Sequence, residues 1–575
     1  METKQLAIPA KTIRQFLPQT FTVKTWSEIE PYFKDLKDRT INSAPELEKW
    51  LHDRSELESI ISEDVGWRYI KMTCDTTDQQ LTDAYNYFIS QIDPHIAPYS
   101  NELNKKLIGS PFLAQLDQPK YHIYIRGVKK TLELYREENV PLLTKIATEA
   151  QKYGAISGAM TIEWKGKEIT LQMAVSLMKD TDRAIRKEVF DKIQNRRALD
   201  EKALNDLYSE LIKLRHQVAL NAGFKNYRDY KFDELGRFDY TVTDCYNFHT
   251  SIAKAILPLA VQSDTERKKL LKLDTLRPWD TEVDTDGKEA LHPFSNGEDL
   301  INKSIACFKR VRPQYGNYLE IMKEMKHLDL ESRKGKAPGG YNYPLYESGV
   351  PFIFMNAVGL HRDMVTMVHE GGHAIHSFVT HNLEIVDFKS APSEVAELAS
   401  MSMELISMEH WDVFFENKDD LKRAKKEQLE KSLKMLLWIA LIDKFQHWVY
   451  LNPTHTLAER SAQWNTIISE FSSSVVDWSG YEHVKERMWQ NQLHLFEVPF
   501  YYIEYGMAQL GAIAVWRNYK NNPEKALNAY EAALRLGYTK SIPEIYKAAG
   551  IEFNFSQEYV QELALFVNGE LKKLE

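Results

Sequence analysis

The sequence predicts a mainly α fold, and three observations carry that prediction. Apolar residues recur three and four apart along most of the chain, the spacing of one buried helix face. Only one stretch, Thr161 to Leu171, alternates apolar and polar residues about a glycine as a hairpin does. The run Asp363-Met364-Val365-Thr366-Met367-Val368 is apolar and proline-free, and it leads directly into His369-Glu370-Gly371-Gly372-His373. At 575 residues the chain exceeds what one simple core usually holds, so two packed subdomains are expected, an N-terminal helical domain at 1–195 and a catalytic domain at 196–575.

Taken in order, Phe21 to Ala150 reads as helices joined by short polar breaks, with aromatic residues that are expected to be core. The hairpin follows. A long helical tract from Thr181 to Ala222 then ends at Gly223, where a C-terminal cap is expected. Around Arg277-Pro278-Trp279-Asp280 and on to Gly297 the periodicity lapses, which predicts a surface connection. The loop Arg333 to Asn342 carries basic residues and the glycines Gly335, Gly339 and Gly340. Those residues could meet a peptide, or simply lie in solvent. Pro351 to Ala357 reads as a short strand able to pair with an extended substrate. Glu416 to Lys431 is a solvated helix face, and Asn522 to Gly537 resembles half of a helical repeat but, with no second copy, reads as one helix pair.

Charge and composition exclude several classes. Hydrophobic content of 43% and charged content of 27% are ordinary for a globular protein, and the net charge of -9 is spread, which argues against nucleic acid as partner. Met1 to Ile8 has no apolar core for a secretory signal, and no later run approaches a membrane span. Cys74, Cys245 and Cys307 are too few and too far apart for a disulfide framework, so a cytoplasmic protein is expected.

The chemistry concentrates at His369 to Glu404. On a helix the imidazoles of His369 and His373 share one face and can close on one metal, while Glu370 can take a proton from water there. Gly371 and Gly372 each weaken that helix by roughly 1 kcal/mol relative to alanine, so close approach of a backbone or a peptide must favour them. A catalytic zinc keeps three protein ligands and an open position. In the second helix, Pro392 to Glu404, the residues Glu394, Glu397 and Glu404 can share one face. Glu397 is taken as the ligand, with Glu394 as the alternative, and Glu404 as hydrogen-bond partner of a ligand histidine. His376 lies on the same face, where a packing or hydrogen-bonding role is expected, since a further ligand would close the site. Near the C-terminus, His494 to Gly506 includes Tyr501 and Tyr505, four apart, with Pro499 expected in the first turn of their helix. Such an aromatic cluster is ordinarily core, but next to a zinc site a phenol can donate to an oxyanion.

Several of these stretches together resemble zinc peptidases of the thimet oligopeptidase and oligoendopeptidase F group, most closely its Pz-peptidase branch. The resemblance rests on His369-Glu370-Gly371-Gly372-His373-Ala374-Ile375-His376, on Glu397-Leu398-Ala399-Ser400 with Glu404, on the Arg333 to Asn342 loop, and on Phe500 to Gly506. It implies a zincin-like helical ellipsoid of two subdomains around a deep substrate channel, with residues 1–195 on the lid side and a small β-sheet near the zinc. It implies one Zn2+ per chain on His369, His373 and Glu397, with Glu370 as general base. Tyr505 and Tyr501 take the transition-state tyrosine place, and Gly339, Gly340, Tyr341 and His494 meet substrate.

The expected activity is zinc-dependent hydrolysis of internal bonds in short peptides, the partners being those peptides. Two rivals are a metallocarboxypeptidase, for which Arg333 to Lys336 is the only nearby source of a carboxylate-binding cation, and a non-catalytic helical peptide-binding protein.

Overall fold

The computed structural model describes residues 13–333, 335–337 and 339–574. Met1 to Ile8, read above for a targeting signal, and Lys334 and Pro338 of the basic loop lie outside the described residues. The chain is mainly helical and divides into two compact units. Unit 1 takes Met1–Glu133, His292–Lys422 and Gly511–Phe553; unit 2 takes Leu134–Leu291, Arg423–Leu510 and Asn554–Glu575. Each is discontinuous in sequence, and neither is bounded at residue 195.

Unit 1 begins with helices whose starts are written locally. Ser43 accepts from Glu46 N–H at the head of Ala44–Cys74, with Pro45 just inside. Phe33, Leu36, Leu47, Trp50 and Leu57 form its fully buried core. Each such side chain contributes roughly 1.5–3 kcal/mol by leaving water.

The strands of the larger sheet also lie in unit 1. With the hairpin strands of unit 2 counted as β1 (Thr161–Trp164) and β2 (Lys167–Thr170), these are β3 (Leu328–Glu331), β4 (Tyr341–Tyr343) and β5 (Phe352–Ala357). Their order is β3-β5-β4, with β3 parallel and β4 antiparallel to β5. The central place explains why Phe352-Ile353-Phe354-Met355 is an unbroken apolar run, since both faces are covered. It also corrects an expectation. β5 is hydrogen-bonded on both sides, so an extended peptide can join this sheet only along an edge strand, β3 or β4.

The basic loop is only partly solvated: Arg333, Gly339 and Gly340 are exposed, but Lys336 is buried. Lys336 Nζ is buried against Asp329 Oδ1 at 2.9 Å and donates to the carbonyls of Asp329, Glu331 and Met355. Arg333 grips Asp329 through both carboxylate oxygens and donates to Cys74 O.

In unit 2 the hairpin turns through Lys165 and Gly166, both at positive φ, the two-residue geometry that matches strand twist. The expected long helical tract is two helices, Arg183–Leu199 and Glu201–Asn221, broken at Asp200. It ends as expected: Gly223 sits at φ +88, and the N–H groups of Gly223 and Phe224 return to Leu220 O and Ala219 O. The connection at Arg277 departs from expectation, because Trp279 and Asp280 are buried. The Asp280 carboxylate receives Arg183 and Arg186, and Arg186 also donates to Trp279 O. Those guanidinium groups allow a polar segment to be buried.

Candidate metal and catalytic site

The first histidine pair stands on the helix His361–Thr380. Its start is fixed by Asp363, whose Oδ2 accepts from Val358 N–H at 2.8 Å and Leu360 N–H at 3.0 Å. The two glycines answer the question the sequence raised. A Cβ on Gly372 would stand 2.5 Å from Ser400 Cα and 2.8 Å from Ala399 O, and one on Gly371 would stand 2.5 Å from the Phe308 ring. A neighbouring backbone therefore demands Gly372. That neighbour is the helix Ser393–Ser407, held from its other side by Tyr530 Oη donating to Ala399 O at 2.8 Å and Tyr546 Oη donating to Glu394 O at 3.0 Å.

This close crossing brings the carboxylates to the imidazoles. His369 Nε2 lies 3.4 Å and His373 Nε2 3.7 Å from Glu397 Oε2. One ligand atom from each of the three residues falls within 4.8 Å of the others. Glu397, not Glu394, supplies the oxygen in that group. Glu404 Oε1 accepts from His369 Nδ1 at 2.7 Å, and Ser400 Oγ donates to Glu397 Oε2 at 3.1 Å. Glu370 is buried and its Oε2 has no hydrogen-bond partner in the protein.

The electrostatics follow from this placement. Burial pushes the Glu370 carboxyl up to about 7, against the pull of His369 and with the push of Glu397 and Glu404. Burial pushes His373 down to about 4. Burial acts the same way on His369, but its bonds to Glu397 and Glu404 overcome it and hold the imidazolium well above the ordinary range. Two carboxylates here thus demand a positive charge. Two imidazole nitrogens, one carboxylate oxygen and an orphaned buried Glu370 oxygen are the donor set and electrostatics that suit a zinc ion. His376 is buried one turn on, and burial pushes it down to about 4. It stands outside the converging group.

The loop residues approach this helix from β4. Gly339 sits at φ +100, and a Cβ on Gly340 would stand 3.3 Å from Phe354 O. The Tyr341 ring stacks on Phe354 at 4.8 Å, and its hydroxyl meets Thr73 Oγ1 at 2.6 Å. Asn342 Nδ2 donates to Glu370 O at 3.2 Å, a tie that no spacing in the sequence announced.

The tyrosine cluster belongs to unit 2. Contrary to the expectation from sequence, Pro499 does not open a helix; it lies in a turn between Leu493–Glu497 and Tyr502–Asn521. Tyr501 also precedes the second helix, because Phe500 takes φ +66 and breaks the helical path. That conformation is sparsely populated for a residue with a side chain. Three groups hold it: Gln446 Oε1 accepts from Phe500 N–H at 2.7 Å, Arg237 donates to Phe500 O, and Arg237 pairs with Glu504 at 2.9 Å. Across this turn the Tyr501 and Tyr505 rings lie 5.3 Å apart, with His494 at 6.0 and 5.7 Å from them.

Comparison with known proteins agrees with this architecture. Residues 176–565 match Peptidase family M3, and residues 16–135 match the Peptidase M3 N-terminal domain. The oligoendopeptidase F homolog of Borreliella burgdorferi is 22% identical over 570 residues, 94% of this chain and 91% of that protein. The solved structure of Pz peptidase A with an inhibitor superposes at a TM-score of 0.90 with 26% identity, covering 96% of this chain and 99% of that one. Oligoendopeptidase F from Enterococcus faecium shares the fold at a TM-score of 0.64 and 16% identity, covering 96% of this chain and 97% of that one.

Proposed function

We propose, from the premise that this chain belongs to peptidase family M3, that its His369, His373 and Glu397 cluster is where internal bonds of short, unstructured peptides are hydrolysed. The family and its oligoendopeptidase relatives make the chain a metalloendopeptidase. The observation that carries the finer reading is the convergence of three metal-binding atoms beside a buried carboxyl with an unpartnered oxygen.

His369 Nε2, His373 Nε2 and Glu397 Oε2 would hold one Zn2+. When bound, zinc polarises the scissile carbonyl and makes water easier to deprotonate. Glu370 takes the proton as the water oxygen bonds to the carbonyl carbon, then gives it to the leaving nitrogen as the carbon–nitrogen bond breaks. Glu404 accepts the Nδ1 proton of His369 and so keeps the Nε2 lone pair for the ion. Ser400 keeps Glu397 Oε2 in place.

Backbone groups of β4 at Tyr341–Tyr343, behind the Gly339-Gly340 turn, would pair with an extended peptide without selecting its side chains. Family membership supports Tyr505, with Tyr501 and His494 beside it, as donor to the developing oxyanion. Among the described residues no helix is long and apolar enough to cross a membrane. None of the three cysteines forms a disulfide, which supports a reducing compartment such as the cytoplasm.

Among the described residues of the Arg333 to Lys336 loop, both cations, Arg333 and Lys336, are committed to Asp329 and to backbone carbonyls, which favours the endopeptidase over the carboxypeptidase reading. The test is mass spectrometry of products from peptides of graded length, each with free and amidated C-termini, with and without a chelator. Internal cleavage of both forms, abolished by chelation, is expected. Release of single residues from free C-termini alone would overturn the reading.

A further inference from the structure

Unit 2 holds a second convergence of metal-binding side chains, and nothing in the peptidase reaction uses it. The helix Val242–Ala255 carries Cys245 and His249; the helix Lys418–Leu451 carries Asp443 and His447. Each pair is four residues apart and so shares a face. Cys245 Sγ, an Asp443 oxygen and a His447 nitrogen all lie within 4.8 Å of one another, the same mutual closeness that marks His369, His373 and Glu397. Cys245 and Asp443 are 0% exposed, His447 2% and His249 3%.

The hydrogen bonding around these groups is incomplete. His249 Nε2 meets Asp443 Oδ2 at 2.7 Å. Asp443 Oδ1 and both ring nitrogens of His447 have no hydrogen-bond partner. His447 Nε2 does stand 3.1 Å from Asp443 Oδ2, but without the alignment a hydrogen bond requires. Around His447 pack the rings of Phe232, Tyr246 and Phe500, which offer no replacement for water. A buried carboxylate needs a counter-charge and buried polar atoms need partners. One cation touching sulfur, nitrogen and Oδ1 would supply all of these together.

We propose that Cys245, Asp443 and His447 bind a second zinc ion, with His249 Nε2 steadying Asp443 from beside the site. Thiolate, imidazole and carboxylate together favour zinc over the hard ions that take oxygen alone. The ion would be structural, and its place gives it a task. The His447 ring packs on Phe500 at 5.4 Å, and its neighbour Gln446 holds Phe500 N–H, so the site braces the left-handed turn that orients Tyr501 and Tyr505.

The test is reconstitution of the full chain with Co2+, read by absorption, together with metal content of the zinc-loaded protein. The peptidase cluster contains no sulfur, so a thiolate-to-cobalt charge-transfer band reports the second site alone, whatever the first site does. We expect two zinc ions per chain and such a band in the unaltered protein. Cys245→Ser should remove the band and one equivalent of zinc, while Cys307→Ser keeps both. A single equivalent with no thiolate band in the unaltered protein would overturn the proposal. So would a band that survives Cys245→Ser.

Discussion

Asn342 Nδ2 holds the main-chain carbonyl of Glu370 at 3.2 Å, joining the edge strand β4 to the middle of the His361–Thr380 helix. A peptide paired along β4 would thus be referenced to the general base by one side-chain hydrogen bond. Asn342→Ala removes about 1 kcal/mol of that tie. We expect kcat/KM for a short peptide to fall about five- to tenfold, with zinc content unchanged, as steady-state kinetics and metal analysis would report.

Glu404 Oε1 touches the cluster through His369 Nδ1, at 2.7 Å. Glu404→Ala should therefore leave a protein that still binds zinc, but about 10- to 100-fold more weakly. Competition with a chelator of known affinity measures this, and unchanged affinity would remove Glu404 from the site.

Gly371 and Gly372 make a paired test of the helix crossing. At Gly372 the added methyl meets backbone, Ser400 Cα and Ala399 O, which cannot yield locally. Gly372→Ala should lower stability by about 3 kcal/mol. Gly371→Ala presses on the Phe308 ring, which can turn, and regains helix propensity. Its loss should be about 1 kcal/mol, and thermal or denaturant unfolding separates the two.

Arg237 pairs with buried Glu504 and holds Phe500 O, so it acts on the tyrosines through the turn. Arg237→Met leaves the Glu504 carboxylate buried without its guanidinium, a loss of about 3–5 kcal/mol. In the fraction that folds, kcat should fall more than KM rises, because the tyrosines are oriented rather than contacted.

Asp329 gives a pH prediction. It is partly buried, which alone would raise it, but Arg333 and Lys336 hold its carboxyl down at about 2, below its ordinary 3.8. The ionised form is the one the fold favours. Its stabilising contribution is complete above about pH 4 and disappears as pH falls through about 2. Asp329→Asn should lower stability at neutral pH and flatten this part of the stability profile, measured by denaturant unfolding across pH.

What could be read from sequence follows how local each feature is. His369, Glu370 and His373 sit within one helix and Glu397 and Glu404 within the next, so helical spacing alone placed them on shared faces. The hairpin was legible through Lys165-Gly166, and the helix end through Gly223. Asn342, Gln446 and Arg237 were not, because their partners lie 28, 54 and 263 residues away and a lone polar residue carries no period. Cys245, His249, Asp443 and His447 escaped for the same reason, as each helix contributes only half the set. Asp280 and Lys336 misled in the opposite direction. Their charge suggested solvent, while distant ion-pair partners let both be buried. Phe500 broke the helix expected at Pro499 because its turn is held by side chains from other elements.

The most direct measurement is zinc content and peptide turnover on the same preparation of Glu370→Gln. The glutamine keeps the size of the side chain and leaves His369, His373 and Glu397 untouched, but cannot accept the water proton. Full zinc with turnover reduced by several orders of magnitude is the predicted result. Zinc retained with turnover near that of the unaltered protein would contradict the account.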